Sequence, residues 1–283
     1  MALFQLHALL CSATIGRTSR VQAHGMRVLA RGPHRHPSLA AALSGDGHLN
    51  LESPTDLDLE SLEKRQLGHK VSGVIGCGLR CKHGFPQAFA YDPVTRAPWV
   101  VNGVVLPRKT KLESGLFRLS CPLLVKAIDE WEAEGAVQAL NDEVRATIDE
   151  FETDGAEASL AAKLHTAHMD HAAARKELIG DRLGSVLEEA AAAGEEQQHI
   201  ADMVLDSGIA GQTRSKVDIK CVHAQLADHL CRSESNGLAA ELMSRLEARG
   251  VPVRGGDACH AQCNPAVPEN AAREQWWYEP NKV

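Results

Sequence analysis

The sequence predicts an α+β fold: a small, mostly antiparallel sheet followed by a predominantly helical region. Two observations carry this expectation. Between Val71 and Ser120, short β-rich runs alternate with Gly, Pro and Asp-Pro breakers; from Cys121 onward, aliphatic residues recur at helical spacing. Strands gathered first and helices afterwards indicate segregated elements rather than a doubly wound alternation. Composition agrees, since alanine is abundant and aromatics make up only 4% of the chain, which favours helices packed through small and aliphatic side chains.

Taken in order, residues 1–45 differ from the rest. They hold five arginines (Arg17, Arg20, Arg27, Arg31 and Arg35), no lysine and no acid. Such an acid-free, arginine-bearing stretch reads as a transit peptide, cleaved between Arg31 and Asp46, that leads to a plastid or mitochondrion interior. A retained basic extension is the competing reading. Residues 46–65 are acidic and polar, and read as a linker ending in a short helix at 56–66. The extended runs are VSGVIGCGL, PQAFAY, APWVVNGVVLP and GLFRLS, which predict three or four short strands. Ser120 is the expected N-cap of the first long helix, with Pro122 in its first turn. Leu124, Ile128 and Trp131 form its apolar stripe until Gly135 interrupts.

A second helix follows from Val137, Leu140, Val144, Ile148 and Phe151, and a third from Leu160, Leu164, Ala167, Ala174 and Leu178. Leu183, Val186 and Leu187 mark a fourth. Ile200, Met203 and Val204 extend the pattern to the turn SGIAG at 207–211. Residues 218–232 predict a helix with Ile219, Val222, Leu226 and Leu230 inward. The last helix carries Leu238, Leu242 and Leu246 and ends at Gly250. The tail at 268–283 is apolar, then polar. No apolar run approaches the ~20 residues that a membrane span needs.

Without the five arginines of the first 45 residues, 25 of the 30 basic residues remain against 37 acids, a net charge of −12. An acidic body without a basic patch argues against nucleic acid as a partner and leaves a small molecule or a protein. Of eight cysteines, Cys11 falls in the leading segment. The other seven are widely and singly placed, which suits a reducing compartment better than a disulfide-stapled fold.

Four separated segments stand out: RCKHGFPQ at 80–87, RLSCPLL at 118–124, DIKCVHAQLADHL at 218–230 and CNPAV at 263–267. Together they resemble the bacterial domain of unknown function 501 family, whose members read roughly R-C-x-[YC]-G-x-P-Q, L-T-C-P-x-L, K-C-L-H and N-P. The resemblance runs from about Gln66 to Val267 and implies a single domain over 66–267. It implies no activity, because the family is uncharacterised. His83 departs from the pattern, where Tyr or Cys is usual. The stretch from Asp92 to Ser114 is longer than the family's usual connection.

Cys81, Cys121, Cys221 and His223 form the sharpest candidate set. Cys121 and Cys221 fall at helix starts, where free N–H groups and the helix dipole favour a thiolate. Three thiols and an imidazole suit a tetrahedral zinc ion. A reactive thiol and plain core cysteines are the two alternatives, and the residue types alone leave all three open. The C-x3-C pairs Cys77/Cys81 and Cys259/Cys263 have looser spacing than C-x2-C and read as incidental. His168, Asp170 and Arg175 resemble a family segment H-x-[ED]-Y-x3-R. His168 and Arg175 share a helix face and are candidates to bind an anion or act beside a catalytic Cys121, Cys221 and His223. His165 and His171 read as an exposed polar face. SGIAGQTR resembles the family's glycine turn, which either holds an anion or simply ends a helix. No P-loop, complete dinucleotide fingerprint, nucleophile elbow or H-E-x-x-H pair occurs. Two function classes follow: a soluble organellar protein with a Cys/His site that binds a metal or uses a thiol, and a helical assembly module with structural cysteines.

Overall fold

The computed structural model describes residues 49–101, 104–149, 159–213, 216–269 and 271. The leading segment, Phe151 and the aromatic tail, on which the sequence makes predictions, lie outside these residues.

The stretch expected as a linker is part of the body. Leu51 is buried, and Glu52 bridges to Cys77 in antiparallel fashion. Thr55 then starts helix α1 (Asp56–Ser61) with a capping box: its hydroxyl accepts the Asp58 N–H, and the Asp58 carboxylate accepts the Thr55 N–H. A wide turn of π-helix, Leu62–Gln66, continues it and buries Leu62 completely. The acidic composition misled the sequence reading because the key acid is paired inside. Asp58 is 3% exposed and takes two hydrogen bonds from the Arg80 guanidinium, at 2.6 and 3.0 Å.

Strands β1 (Val74–Cys77), β2 (Ala88–Tyr91) and β5 (Phe117–Leu119) form an antiparallel sheet in the order β1-β2-β5. Cys77 faces Phe89 across the first pair, and Ala88 faces Leu119 across the second. Between β2 and β5 the long connection folds back as its own hairpin, β3 (Val94–Val101) with β4 (Val104–Leu112). The extended run at 97–107 is therefore strand-forming as expected, but it pairs within itself rather than joining the sheet.

The helices follow as α2 (Pro122–Ala133), α3 (Ala136–Ala146), α4 (Leu160–Ile179), α5 (Leu183–Ala192), α6 (Glu195–Leu205), α7 (Val222–Cys231), α8 (Gly237–Ala248) and the short α9 (His260–Cys263). Gly135, with φ of +95°, separates α2 from α3 as expected. Cys121 rather than Ser120 occupies the N-cap position of α2. Helix α7 begins later than its periodicity suggested. The Asn141 side chain accepts the Ile219 N–H and donates to the Ile219 carbonyl, each at 2.8 Å, which holds this segment extended. Cys221 keeps extended dihedrals and turns the chain into the helix.

Helix α7 lies against β5 and β2 and is the core's central element: Leu226 and Leu230 are fully buried among Leu119, Leu124, Ile128, Leu164 and Leu242. Its last carbonyls find partners outside the helix, Leu230 from the Leu79 N–H and Cys231 from the Asn50 N–H, each at 2.8 Å. The approach is close enough to require glycine at 78. A β-carbon there would meet the Leu230 carbonyl oxygen at 2.7 Å and Cys231 Sγ at 2.8 Å. No described helix is long and apolar enough to cross a membrane.

Candidate functional site

The start of α7 meets one face of α2, and the meeting point gathers thiol, imidazole and carboxylate. Val125, Asp129 and Glu132 recur at i, i+4 and i+7 on α2, so they line one stripe. Cys221 caps α7 and His223 sits in its first turn. The Cys221 sulfur is 3.8 Å from His223 Nδ1, and the same nitrogen is 3.5 Å from Glu132 Oε1. The other ring nitrogen, Nε2, lies 3.2 Å from Asp129 Oδ1 and 3.3 Å from the Val125 carbonyl. Glu132 is fixed by the Val222 N–H, which it accepts at 2.7 Å.

Ligand atoms of Glu132, Cys221 and His223 all fall within 4.8 Å of one another, and all three residues are half-buried. Burial disfavours a charged His223 ring, but the Cys221 sulfur, Glu132 and Asp129 outweigh it and push the pKa up to about 9. The cluster opens to solvent and lies outside two described surface concavities. One of these, a groove of about 450 Å³ beside Tyr91, Asp92, Glu113, Phe117 and Arg118, contains none of the cysteines.

Only half of the predicted metal set meets here. Cys81 and Cys121 are not among the three donors within 4.8 Å. Cys121 is buried at the start of α2, and its thiol is pushed up to about 11: burial dominates, the amide of Leu124 opposes it, and the Cys259 and Cys81 sulfurs add repulsion. Cys81 lies in the turn that closes on the Phe85 carbonyl and packs with Phe85 and Cys263. The sequence missed Glu132 altogether; its available signal was its place in line with Val125 and Asp129.

His168 and Arg175 both bond to backbone groups of the glycine turn after α6. His168 Nδ1 accepts the Ile209 N–H at 3.0 Å, so the proton is on Nε2, 3.3 Å from the Asp218 carbonyl. Burial depresses its pKa to about 4. Arg175 is fully buried and donates to three carbonyls, those of Ser207, Ser114 and Leu205, at 2.6, 2.6 and 3.1 Å. Both side chains therefore buckle the glycine turn after α6 onto the body. A β-carbon on Gly208 would fall 2.5 Å from His168 Nδ1.

His171, expected on an exposed face, is 3% exposed. Its Nδ1 donates to Asp228 at 2.7 Å, and Arg232 grips both oxygens of that carboxylate at 2.9 and 2.7 Å. Asn236 adds a fourth bond at 3.1 Å. Burial holds His171 neutral, while His171 and Arg232 together keep Asp228 ionised against its burial. Paired and hydrogen-bonded in this way, the buried charges are satisfied. Asp228 and Arg232 are four apart on α7, a spacing the sequence reading did not use.

A three-stranded sheet backed by helices, with thiol and imidazole donors at helix starts, defines an α+β protein with a Cys/His centre. Residues 77–244 match the family described as Protein of unknown function (DUF501), and the chain belongs to that family. No curated protein and no solved structure matches it.

Proposed function

We propose that this is a soluble protein of an organelle interior that binds one divalent ion of the zinc class through Cys221 Sγ, His223 Nδ1 and Glu132. The observation that carries the reading is the two-sided use of His223. Its Nδ1 faces the sulfur and the carboxylate, while Asp129 and the Val125 carbonyl hold the opposite nitrogen. Imidazoles that ligate metals have their second nitrogen held in this manner. Three protein ligands in a solvent-open position leave room for water or a substrate atom, the arrangement of a catalytic rather than a structural zinc site.

Elemental analysis and competition with a chromophoric chelator test the proposal. Mature protein should carry about one equivalent at this site. Glu132→Gln, which retains an acceptor for the Val222 N–H, should bind at least about 10-fold more weakly. His223→Ala should abolish binding. Unchanged affinity in both variants would overturn the metal reading. A fusion of residues 1–45 to a fluorescent protein tests the compartment, and cytosolic fluorescence of the full-length fusion would refute it.

A second reading is favoured by the other side of the same imidazole, where Asp129 stands. Cys221, His223 and Asp129 form a thiol–imidazole–carboxylate relay at the start of a helix, which suits a nucleophilic thiolate. In that case Cys221 alkylates fastest among the cysteines in metal-free protein, and zinc confers no protection.

A further inference from the structure

The cysteines that the first site leaves out are not scattered. Cys81, Cys121, Cys259 and Cys263 are 8%, 4%, 7% and 4% exposed, and they come together from three parts of the chain. Cys81 and Cys263 share an apolar cluster with Phe85. Gly255 adopts φ of +107°, and a β-carbon on it would lie 3.4 Å from Cys81 Cβ and 3.5 Å from Cys259 Sγ, which puts those two residues around one point. The Gln66 amide donates both to Cys263 Sγ, at 3.3 Å, and to the Pro86 carbonyl, at 3.0 Å. Ser120, next to Cys121, donates to that same carbonyl at 3.3 Å. The backbone closes the set: the Cys121 and Ser120 N–H groups both donate to the Gln87 carbonyl, at 3.0 and 2.9 Å, one residue from Pro86.

We infer that Cys81, Cys121, Cys259 and Cys263 form a second, structural site for a soft divalent ion such as zinc, which fastens the segment after α8 to the sheet and to α2. A tetrathiolate set accounts for several features together. The segment from Val251 to Asn264 has only a short 3₁₀ turn, Asp257–Cys259, and the four-residue α9, so it has little helix of its own to stabilise it. An N–H donor already stands at one of the sulfurs, from Gln66 to Cys263. Such donors stabilise thiolates and support metal-bound sulfur. Each thiol that ligates releases its proton to solvent, and the divalent ion offsets two of the four charges so created, leaving the remainder to nearby N–H donors.

The sulfurs stand wider than a ligated set: among the described residues, the three-donor group within 4.8 Å is the one at His223. Zinc–sulfur bonds of about 2.3 Å would bring them together.

Cobalt(II) loading of reduced full-length protein decides the question, because a tetrahedral tetrathiolate gives intense visible bands and a sulfur-to-cobalt charge-transfer absorption about four times that of a single-cysteine site, since each Co–S bond contributes. The His223→Ala variant, with the first site removed, should still take up about one equivalent with that spectrum. Cys263→Ser should lose it, whereas Cys231→Ser should retain it. Loading should also protect the 251–264 segment from limited proteolysis. Absence of the thiolate spectrum in His223→Ala protein, or its persistence in Cys263→Ser, would overturn the inference. So would conversion of Cys259 and Cys263 to a disulfide that leaves metal uptake unchanged. Loss of the weaker cobalt signal in His223→Ala concerns the first site alone.

Discussion

Acidification should destabilise the protein through His168, and the size of the effect follows from its surroundings. The ring is 1% exposed, and its Nδ1 already accepts the Ile209 N–H, so a second ring proton has nowhere to go without breaking that bond. Its folded pKa, about 4, lies below the unfolded value of 6.5. The unfolded chain therefore binds more protons between those values. Stability is full above pH 6.5 and falls as the pH drops toward 4. For these two constants the loss between pH 7.5 and pH 5 is about 2 kcal/mol. His171 and His229 are also depressed by burial and add to the same slope, so the assay must isolate His168. His168→Asn serves, since its carbonyl oxygen can replace Nδ1 as the acceptor. Urea unfolding of both proteins across this range should show the variant less stable at pH 7.5, by about 1–3 kcal/mol, but with a pH dependence smaller by about 2 kcal/mol. Parallel stability curves would refute the reasoning, because they would mean that His168 titrates as a solvated histidine.

Three further outcomes follow from the packing. Leu226→Ala should cost about 2–5 kcal/mol by opening a cavity at the centre of α7, while Glu188→Lys on the exposed face of α5 should stay within about 0.5 kcal/mol; equal thermal midpoints would contradict the helix phases. Gly78→Ala should destabilise by about 1–3 kcal/mol, since the added methyl meets a carbonyl oxygen rather than a yielding side chain; wild-type stability in chemical denaturation would show that the strand does not rest on the end of α7. Asp58→Asn should cost about 1–2 kcal/mol, a figure discounted because Arg80 is partly exposed and retains Glu52. Burial raises the Asp58 pKa, yet Arg80 and Thr55 hold it below its ordinary 3.8, so the pair's contribution is present at neutral pH and lost as the pH falls below that value. A midpoint difference between wild type and Asp58→Asn that persists at pH 2 would count against the pairing.

What was legible in the sequence was periodic. The stripes of α2, α4, α7 and α8, the break at Gly135 and the strand-then-helix order all depend on local spacing, and they emerge as expected. The start of α7 was not legible, because Asn141 imposes the extended backbone at Ile219 from a distant helix. The connection between β2 and β5 looked like strand and is strand, but pairing partners are not written in local pattern. The candidate site was half legible for the same reason. Cys221 and His223 are neighbours in sequence and stay neighbours in space. Glu132 joins them only because α2 crosses α7; its place in line with Val125 and Asp129 says which helix face it shares but not what that face meets.

The polar clasp between α1 and the last described helix has a consequence for biosynthesis. Ser61 donates to the Cys263 carbonyl, 202 residues later, and Arg65 donates to the Ala261 and Gln262 carbonyls. These bonds flank the stretch that carries the family match, so that stretch expressed alone would lack both halves of its own closure. On the ribosome, the sheet and most helices emerge well before the residues that α1 must grip. The nascent chain therefore carries Ser61 and Arg65 without these partners until residues 261–263 have emerged. Closure at such sequence separation is slow compared with helix formation. The interval offers a natural moment for a chaperone to act, and pulse-labelling of ribosome-bound chains on either side of Cys263 would reveal it as a late gain in protease resistance at the other end of the molecule.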